Sequence, residues 1–416
     1  MTLRLYPRLR LDLSWREWAF AASACARSAS AEEEAAALEA TWTPHSDGLA
    51  TLSVRSAFDL YLSALDLPRG SEVLLSAVTI PDMVRLVREH GLVPVPVDLD
   101  EGTLTPTPET AERAYSPKSR VLVVAHLFGG HRDVGPLAAW ARSRNVRLVE
   151  DSAQAFRSPD ERGSPLADLT FFSFGSIKTL TALGGGLTRV TDPALLARMR
   201  ALHAAWPIQS TARFARKVAK SAGLLVLQQP VPFALAERLC AARGRDFDQV
   251  ILSSIRGFPV PPGAPLRPLL QFRPCGALLR TLRHRLETFD PMRLGRRAAQ
   301  GESVAAALRG VVPVLGQAQL GRTHWLFATQ SEDRDAVVAR SRARGLDVAA
   351  GASNITAVPR PEERPDLPPL VAERIMKRML FVPVYPEIPW HRLAAIPELL
   401  RPSASAGRPA EVSVGH

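Results

Sequence analysis

Residues 146–156 read VRLVEDSAQAF and residues 169–190 read LTFFSFGSIKTLTALGGGLTRV, and these two stretches decide the fold. They contain three short runs, VRLVE, LTFFSF and GLTRV, with the length and the β-branched and aromatic content of strands. Asp151 and Gln154 follow the first run. Ser173 and Lys178 stand at the end of the second, and a glycine triplet occupies 184–186.

Upstream the same grammar repeats. SAFDLYLSAL reads as an amphipathic helix, PRGSEVLLS as a turn feeding a strand, and PDMVRLVREHG as a helix closed by Gly91. The strand VPVPVDLD, the buried strand VLVVAHLF and the helix VGPLAAWARSRN follow. The continuous apolar character of VLVVAHLF and VRLVE predicts strands covered on both faces by helices. Strand–helix alternation at this spacing predicts an α/β fold with a mostly parallel sheet, whose ligands sit at the carboxyl ends of strands. His126, Asp151 and Ser173 all lie at such ends.

After residue 206 the alternation breaks. A basic segment (Arg213, Arg216, Lys217, Lys220), the apolar GLLVLQQPVPFALAERL and the proline-rich FPVPPGAPLRP read as an insertion over 207–267, a lid or an oligomer contact. Its basic and apolar halves, with Phe214 and Phe233, also suit peripheral contact with an anionic membrane through 211–262, although Pro230 and Pro232 break any long amphipathic helix. A helical pattern resumes at 269, with a break at Pro291, and a strand LDVAA and a helix before MLFVPVY complete a small α+β domain. The expected organisation is a large domain over 1–206 including an N-terminal arm (1–50), the insertion (207–267), a small C-terminal domain (268–401) and a disordered tail (402–416).

The chain has 416 residues, a net charge of +11 and an apolar fraction of 46%, enough for a substantial core. Its arginines are scattered among apolar segments and form no stripe or tail, which argues against a nucleic-acid partner and for an anionic small substrate or surface. Three cysteines without CxxC spacing argue against a disulfide framework or zinc site and for a reducing compartment, the cytoplasm. The N-terminus is broken by charges and has no signal-peptide core. The five lysines are Lys118, Lys178, Lys217, Lys220 and Lys377, so a chemistry that needs a reactive amine has few to choose from.

One at a time, an Asp after a strand is a cap, a lone Lys a surface charge and GGG a flexible turn. The ordered set points elsewhere. A carboxylate at one strand end, a lysine on the next turn and small hydroxyls beside it are what pyridoxal 5'-phosphate (PLP) chemistry requires. The lysine forms a Schiff base and later shuttles a proton, the carboxylate holds the pyridinium nitrogen, and hydroxyls with loop amides take the phosphate. Lys178 and Asp151 are the candidates for the first two roles, and Ser173, Ser176, Thr179 and Gly184 to Gly186 supply the rest.

VEDSAQAF followed by SFGSIKTLTALGGGL resembles the cofactor signature of the DegT/DnrJ/EryC1/StrS sugar aminotransferases, which are fold-type-I PLP enzymes. SAFDLYLSALDLPRGSEVLL and AHLFGGHRDVGPLAAWA extend the likeness upstream, and LQFRPCGALLRTLRHRL and HWLFATQ extend it more faintly downstream. The resemblance implies Lys178 as the Schiff-base lysine, Asp151 on the pyridinium, Gln154 near the ring oxygen and Ser173 on the phosphate. Backbone amides at Arg55 and Ser56 complete the phosphate cup at a helix N-terminus. Ile80 takes the place of the family's stacking aromatic, and Gln271 that of an asparagine which a second subunit of a homodimer contributes. Arg55, Ile80, Thr179, Gly185 and Phe156 depart from the family pattern; Lys178, Asp151, Gln154 and Ser173 keep it. The implied activity is transfer of an amino group from an amino acid such as glutamate to a keto-sugar, nucleotide- or lipid-linked, in polysaccharide or secondary-metabolite biosynthesis. The departures leave room for a PLP-fold protein without turnover, or for another PLP reaction such as elimination. His126, in the H-L-F-G stretch, is expected to stabilise its turn, and His131 to be a loop residue.

Overall fold

The structure is a computed structural model that describes residues 3–250, 264–351 and 354–402. Most of the proline-rich end of the insertion, and the tail beyond Pro402, lie outside the described residues.

Seven strands form the central sheet: β1 (Gly48–Thr51), β2 (Glu72–Ser76), β3 (Val93–Val97), β4 (Ser119–Ala125), β5 (Arg147–Asp151), β6 (Leu169–Ser173) and β7 (Gly186–Val190). Their spatial order is β1-β7-β6-β5-β4-β2-β3. From β3 to β6 the strands run parallel; β7 is antiparallel to β6, and β1 to β7. The expected α/β fold with a mostly parallel sheet is therefore what the chain adopts. Prolines 94 and 96 are tolerated in β3 because it is an edge strand, with β2 its single sheet neighbour.

Alternation within β4 shows how the sheet is sealed. Val121 and Val123 join the core beneath helix Val54–Leu65, while Leu122 and Val124 join the opposite core with Leu137, Ala138 and Leu148. A third core joins β6 and β7 to the N-terminal helices Trp15–Ala26 and Ala31–Trp42 and to helix Gly276–Glu287.

Among the described residues the insertion carries the helices Thr211–Leu227 and Pro230–Ala242, with Pro230 opening the second at a position whose N–H a helix does not use. Phe214 and Phe233 are 1% and 4% exposed, so neither of these expected membrane anchors is available to a membrane. Phe214 enters the third core, and the Trp18 indole N–H donates to the Val218 carbonyl at 2.9 Å. Among the described residues no helix is long and apolar enough to cross a membrane.

In the C-terminal part, Phe327–Gln330 pairs antiparallel with Met379–Val382. A second short pair, Val78–Thr79 with Thr356–Ala357, ties this part to the sheet. Pro291 marks a real break: helix Gly276–Glu287 ends and a new helix, Pro291–Ala307, begins under the Asp290 cap. LDVAA is not a strand. Its buried Asp347 is drawn into an ion pair with Arg8 (2.8 Å), and only isolated bridges form, Leu346 with Tyr6 and Ala349 with Phe381.

Candidate active site

β4, β5 and β6 deliver their carboxyl ends to one edge, where the His126 N–H donates to the Asp151 carbonyl at 3.0 Å. Asp151 closes β5, and its side chain turns back to accept the Ala153 N–H at 3.0 Å. Its second carboxylate oxygen has no hydrogen-bond partner among the described residues. Desolvation raises the Asp151 carboxyl above its ordinary value, against the pull of the Ala153 N–H and of the Lys178 charge.

The loop from β6 to β7, residues 174–185, opens with a turn. The Lys178 N–H donates to the Gly175 carbonyl at 3.0 Å, and a methyl group placed on Gly175 would stand 3.7 Å from Ser173 Oγ and 3.9 Å from Lys178 Cγ. Ser173 and Lys178 thus flank one point, five residues apart because the turn folds them together. Ser173 Oγ has no hydrogen-bond partner among the described residues. Lys178 is half-buried, yet so hemmed in that desolvation lowers its amine to about 8, with Asp151 pulling upward and Arg55 pushing further down. Its Nζ lies 4.3 Å above the Trp325 ring, which is held in place by an indole N–H donated to the Ile177 carbonyl at 2.8 Å.

Gln154 is anchored beside this group, its Oε1 accepting the Phe128 N–H at 3.1 Å. Ser53 caps helix Val54–Leu65, and its Oγ accepts the Ser56 N–H at 3.2 Å and lies 3.0 Å from Ser56 Oγ. The Ser56 amide thus donates to the cap of its own helix. Arg55 is ion-paired with Asp82 and is still an electrostatic neighbour of Lys178. Ile80 opens helix Pro81–Glu89 and packs between two cores as an aliphatic wall. Gln271 lies apart from this group: its Nε2 donates to the buried Asp59 at 3.0 Å, alongside Arg267 and His90.

The glycines have a structural assignment. Gly185 adopts φ +88°, and a Cβ on Gly186 would meet Ser53 C and Val54 N at 3.0 Å, so only glycine lets β7 pass the helix start. His126 bonds Glu150 at 2.7 Å. His131 is no loose loop residue: it is buried, bonds the Ala155 carbonyl at 2.6 Å and is pushed down to about 3 by desolvation and the neighbouring His126.

A cavity of about 260 Å³ reaches Lys178 from the side of the N-terminal arm and the C-terminal part, touching Trp325, Arg297, Arg10, Tyr385 and Glu387. Arg297 bonds only neutral oxygens, the Thr323 carbonyl at 2.9 Å and Thr179 Oγ1 at 3.1 Å, and desolvation lowers it to about 10. Asp12, from the arm, accepts the Leu180 N–H at 2.7 Å. Trp325, Arg297 and Asp12 escape sequence reasoning because none shares a motif with Lys178; HWLFATQ was legible as a stretch, without pointing to its tryptophan.

The doubly covered α/β sheet thus carries at its strand ends a desolvated lysine and a carboxylate with one oxygen unbonded among the described residues. TlmJ, an aminotransferase from Streptoalloteichus hindustanus, is similar over 95% of this chain and 98% of its own, at 19% identity and a TM-score of 0.67. Helicobacter pylori PseC, an aminotransferase involved in pseudoaminic acid biosynthesis, is similar over 95% of this chain and 98% of its own, at 13% identity and a TM-score of 0.67. DesI, solved in the presence of its TDP-sugar product, matches over 96% of this chain and 93% of its own, at 19% identity and a TM-score of 0.64. These likenesses are likenesses of fold. Residues 29–223 match the model of the DegT/DnrJ/EryC1/StrS aminotransferase family.

The residues present fit a pyridoxal phosphate. Asp151 keeps one carboxylate oxygen without a partner, Ser173 a free hydroxyl, Lys178 an amine already pushed toward its neutral form, and Ile80 an apolar wall.

Proposed function

We propose that the protein transfers an amino group from an amino acid, with glutamate as donor, to a keto-sugar carried on a nucleotide or a lipid, using PLP. The observation that carries the reading is the meeting of Lys178, Asp151 and Ser173 at the strand ends of β5 and β6. When bound, the cofactor supplies an aldehyde for amine exchange and an electron sink for the carbanion. Lys178 would hold the cofactor through its amine and, once released, would move a proton at the substrate carbon. Asp151 would balance the charge of the ring nitrogen. Gln154 would serve the ring's phenolic oxygen, Ser173 and Arg55 the phosphate, and Ile80 would cover the ring. Arg297, whose hydrogen bonds among the described residues go to a carbonyl and a hydroxyl while Asp12 and Glu387 act on it only through their charge, suits a carboxylate of the donor.

A cytoplasmic homodimer belongs to the same proposal. So does peripheral membrane contact, now resting on Val226, Val231, Leu235 and Leu239, which are exposed on the two inserted helices.

Purified protein given PLP is expected to show a visible absorbance band that glutamate shifts and that Lys178→Ala abolishes. No band in wild type would overturn the reading. A band that neither glutamate nor other amino acids change would point to a different reaction on the same cofactor.

A further inference from the structure

Lys217 lies in the inserted helix Thr211–Leu227, and its side chain extends to the glycine turn that follows Lys178. A methyl group on Gly184 would stand 3.7 Å from its Nζ. Its electrostatic neighbours are Arg55, Arg213 and Lys220, all cations. It makes no ion pair or hydrogen bond among the described residues. Arg55 is a neighbour of Lys178 as well, so a chain of cations runs from the reactive amine to the insertion.

A desolvated ammonium whose charged neighbours share its sign is unfavourable by itself, and desolvation with these cations lowers it to about 8. The arrangement becomes favourable when an anion enters. The surroundings indicate where. Gly184 to Gly186 bring β7 against the start of helix Val54–Leu65, a helix end whose dipole also favours negative charge. Ser173 pairs with Gly186 across β6 and β7, and its hydroxyl has no hydrogen-bond partner among the described residues. Asp82 offsets Arg55, but among the described residues no carboxylate offsets Lys217, so the charge of these residues stays positive. Gln271, the residue expected to reach a phosphate from the partner subunit, is held by Asp59 within its own chain.

We propose that Lys217 binds the phosphate group of the cofactor, so that the insertion supplies a phosphate ligand from within the same chain. The inference rests on the PLP reading above and assigns the insertion a direct part in it. Phosphate chemistry could equally come from the diphosphate of a nucleotide-linked substrate, and the experiment separates the two.

Wild type, Lys217→Met and Lys217→Arg are titrated with PLP and with pyridoxal, which lacks the phosphate, and binding is followed by visible absorbance. Losing one charge-assisted contact is expected to weaken PLP binding about ten- to a hundredfold. Pyridoxal affinity should be unchanged in Lys217→Met, and Lys217→Arg should recover most of the loss. Equal losses for both ligands would assign Lys217 to packing and overturn the proposal. Unchanged PLP affinity in Lys217→Met, with loss of competition by inorganic pyrophosphate, would move the lysine to the substrate and overturn it too. Wild type that fails to bind PLP through Lys178 sinks the parent reading and this one together. Wild type that binds normally beside an unaffected Lys217→Met sinks this one alone.

Discussion

The environment of Lys178 makes a two-signed prediction. Desolvation brings its amine from an ordinary 10.5 to about 8, while Asp151 favours the ammonium and Arg55 opposes it. At pH 7.5 an amine titrating near 8 is about one-quarter neutral, against about one-thousandth for an ordinary lysine, a gain of roughly two hundredfold in reactive amine. Asp151→Asn removes the anion at nearly constant size, so the midpoint should fall below 8. Arg55→Leu removes the cation, so the midpoint should rise above 8. Each shift should be on the order of one unit, given an effective dielectric of about 20 for such pairs. The assay is the rate at which the protein captures pyridoxal, followed by absorbance from about pH 6 to 10. Pyridoxal is the probe because its lack of phosphate keeps any phosphate contact of Arg55 out of the result. Rates are taken as the difference from Lys178→Ala, since Lys217 also titrates near 8. A wild-type profile half-maximal near pH 10 would refute the reasoning. So would displacement of both variants in the same direction, which would mean that the substitutions act through solvent access and not through charge.

Two further outcomes test the parts of the site that come from distant segments. Arg297→Gln should raise KM for glutamate by about tenfold or more, the worth of a charge-assisted contact, with PLP affinity unchanged. An unchanged KM in steady-state kinetics would remove Arg297 from donor binding. Phe214→Ala, at a side chain 1% exposed, should cost about 3–5 kcal/mol in chemical denaturation, and a loss under about 1 kcal/mol would show that the insertion is not seated on the core.

The sheet could be read from the sequence because its strands state their own burial. In VLVVA the odd and even side chains enter two different cores, and an unbroken apolar run is how a doubly covered strand is written. Asp151 and Lys178 form an ordered motif for a related reason: Asp151 closes β5, Lys178 follows the end of β6 on the next turn, and the connection between them is local. The rest of the site is assembled by tertiary packing. Trp325 reaches Lys178 across 147 positions, oriented by a single bond to the Ile177 carbonyl, and no periodicity near 325 encodes that bond. Arg297 is one arginine among many in a chain where nearly every basic residue is arginine. What distinguishes it is its place on the cavity wall near Lys178 with hydrogen bonds to a carbonyl and a hydroxyl, which only the folded chain reveals.

The insertion shows where amphipathicity stops being informative. Phe214, Val218, Ser221 and Leu225 form one buried face of helix Thr211–Leu227, a spacing that says a face will be covered without saying by what. A membrane, a second subunit and the chain's own N-terminal helix would all satisfy the same pattern. The Trp18 indole on the Val218 carbonyl decides it in favour of the arm, and that contact also fixes the rotation of the helix. Once Phe214 and Val218 face the core, Lys217, one position before Val218, is carried to the edge of the buried face and reaches Gly184 instead of open water. The basic residues that looked from the sequence like a solvated or membrane-facing row therefore divide in the fold. Arg216 and Lys220 remain at the surface, while Lys217 is turned toward the site by the apolar residues around it.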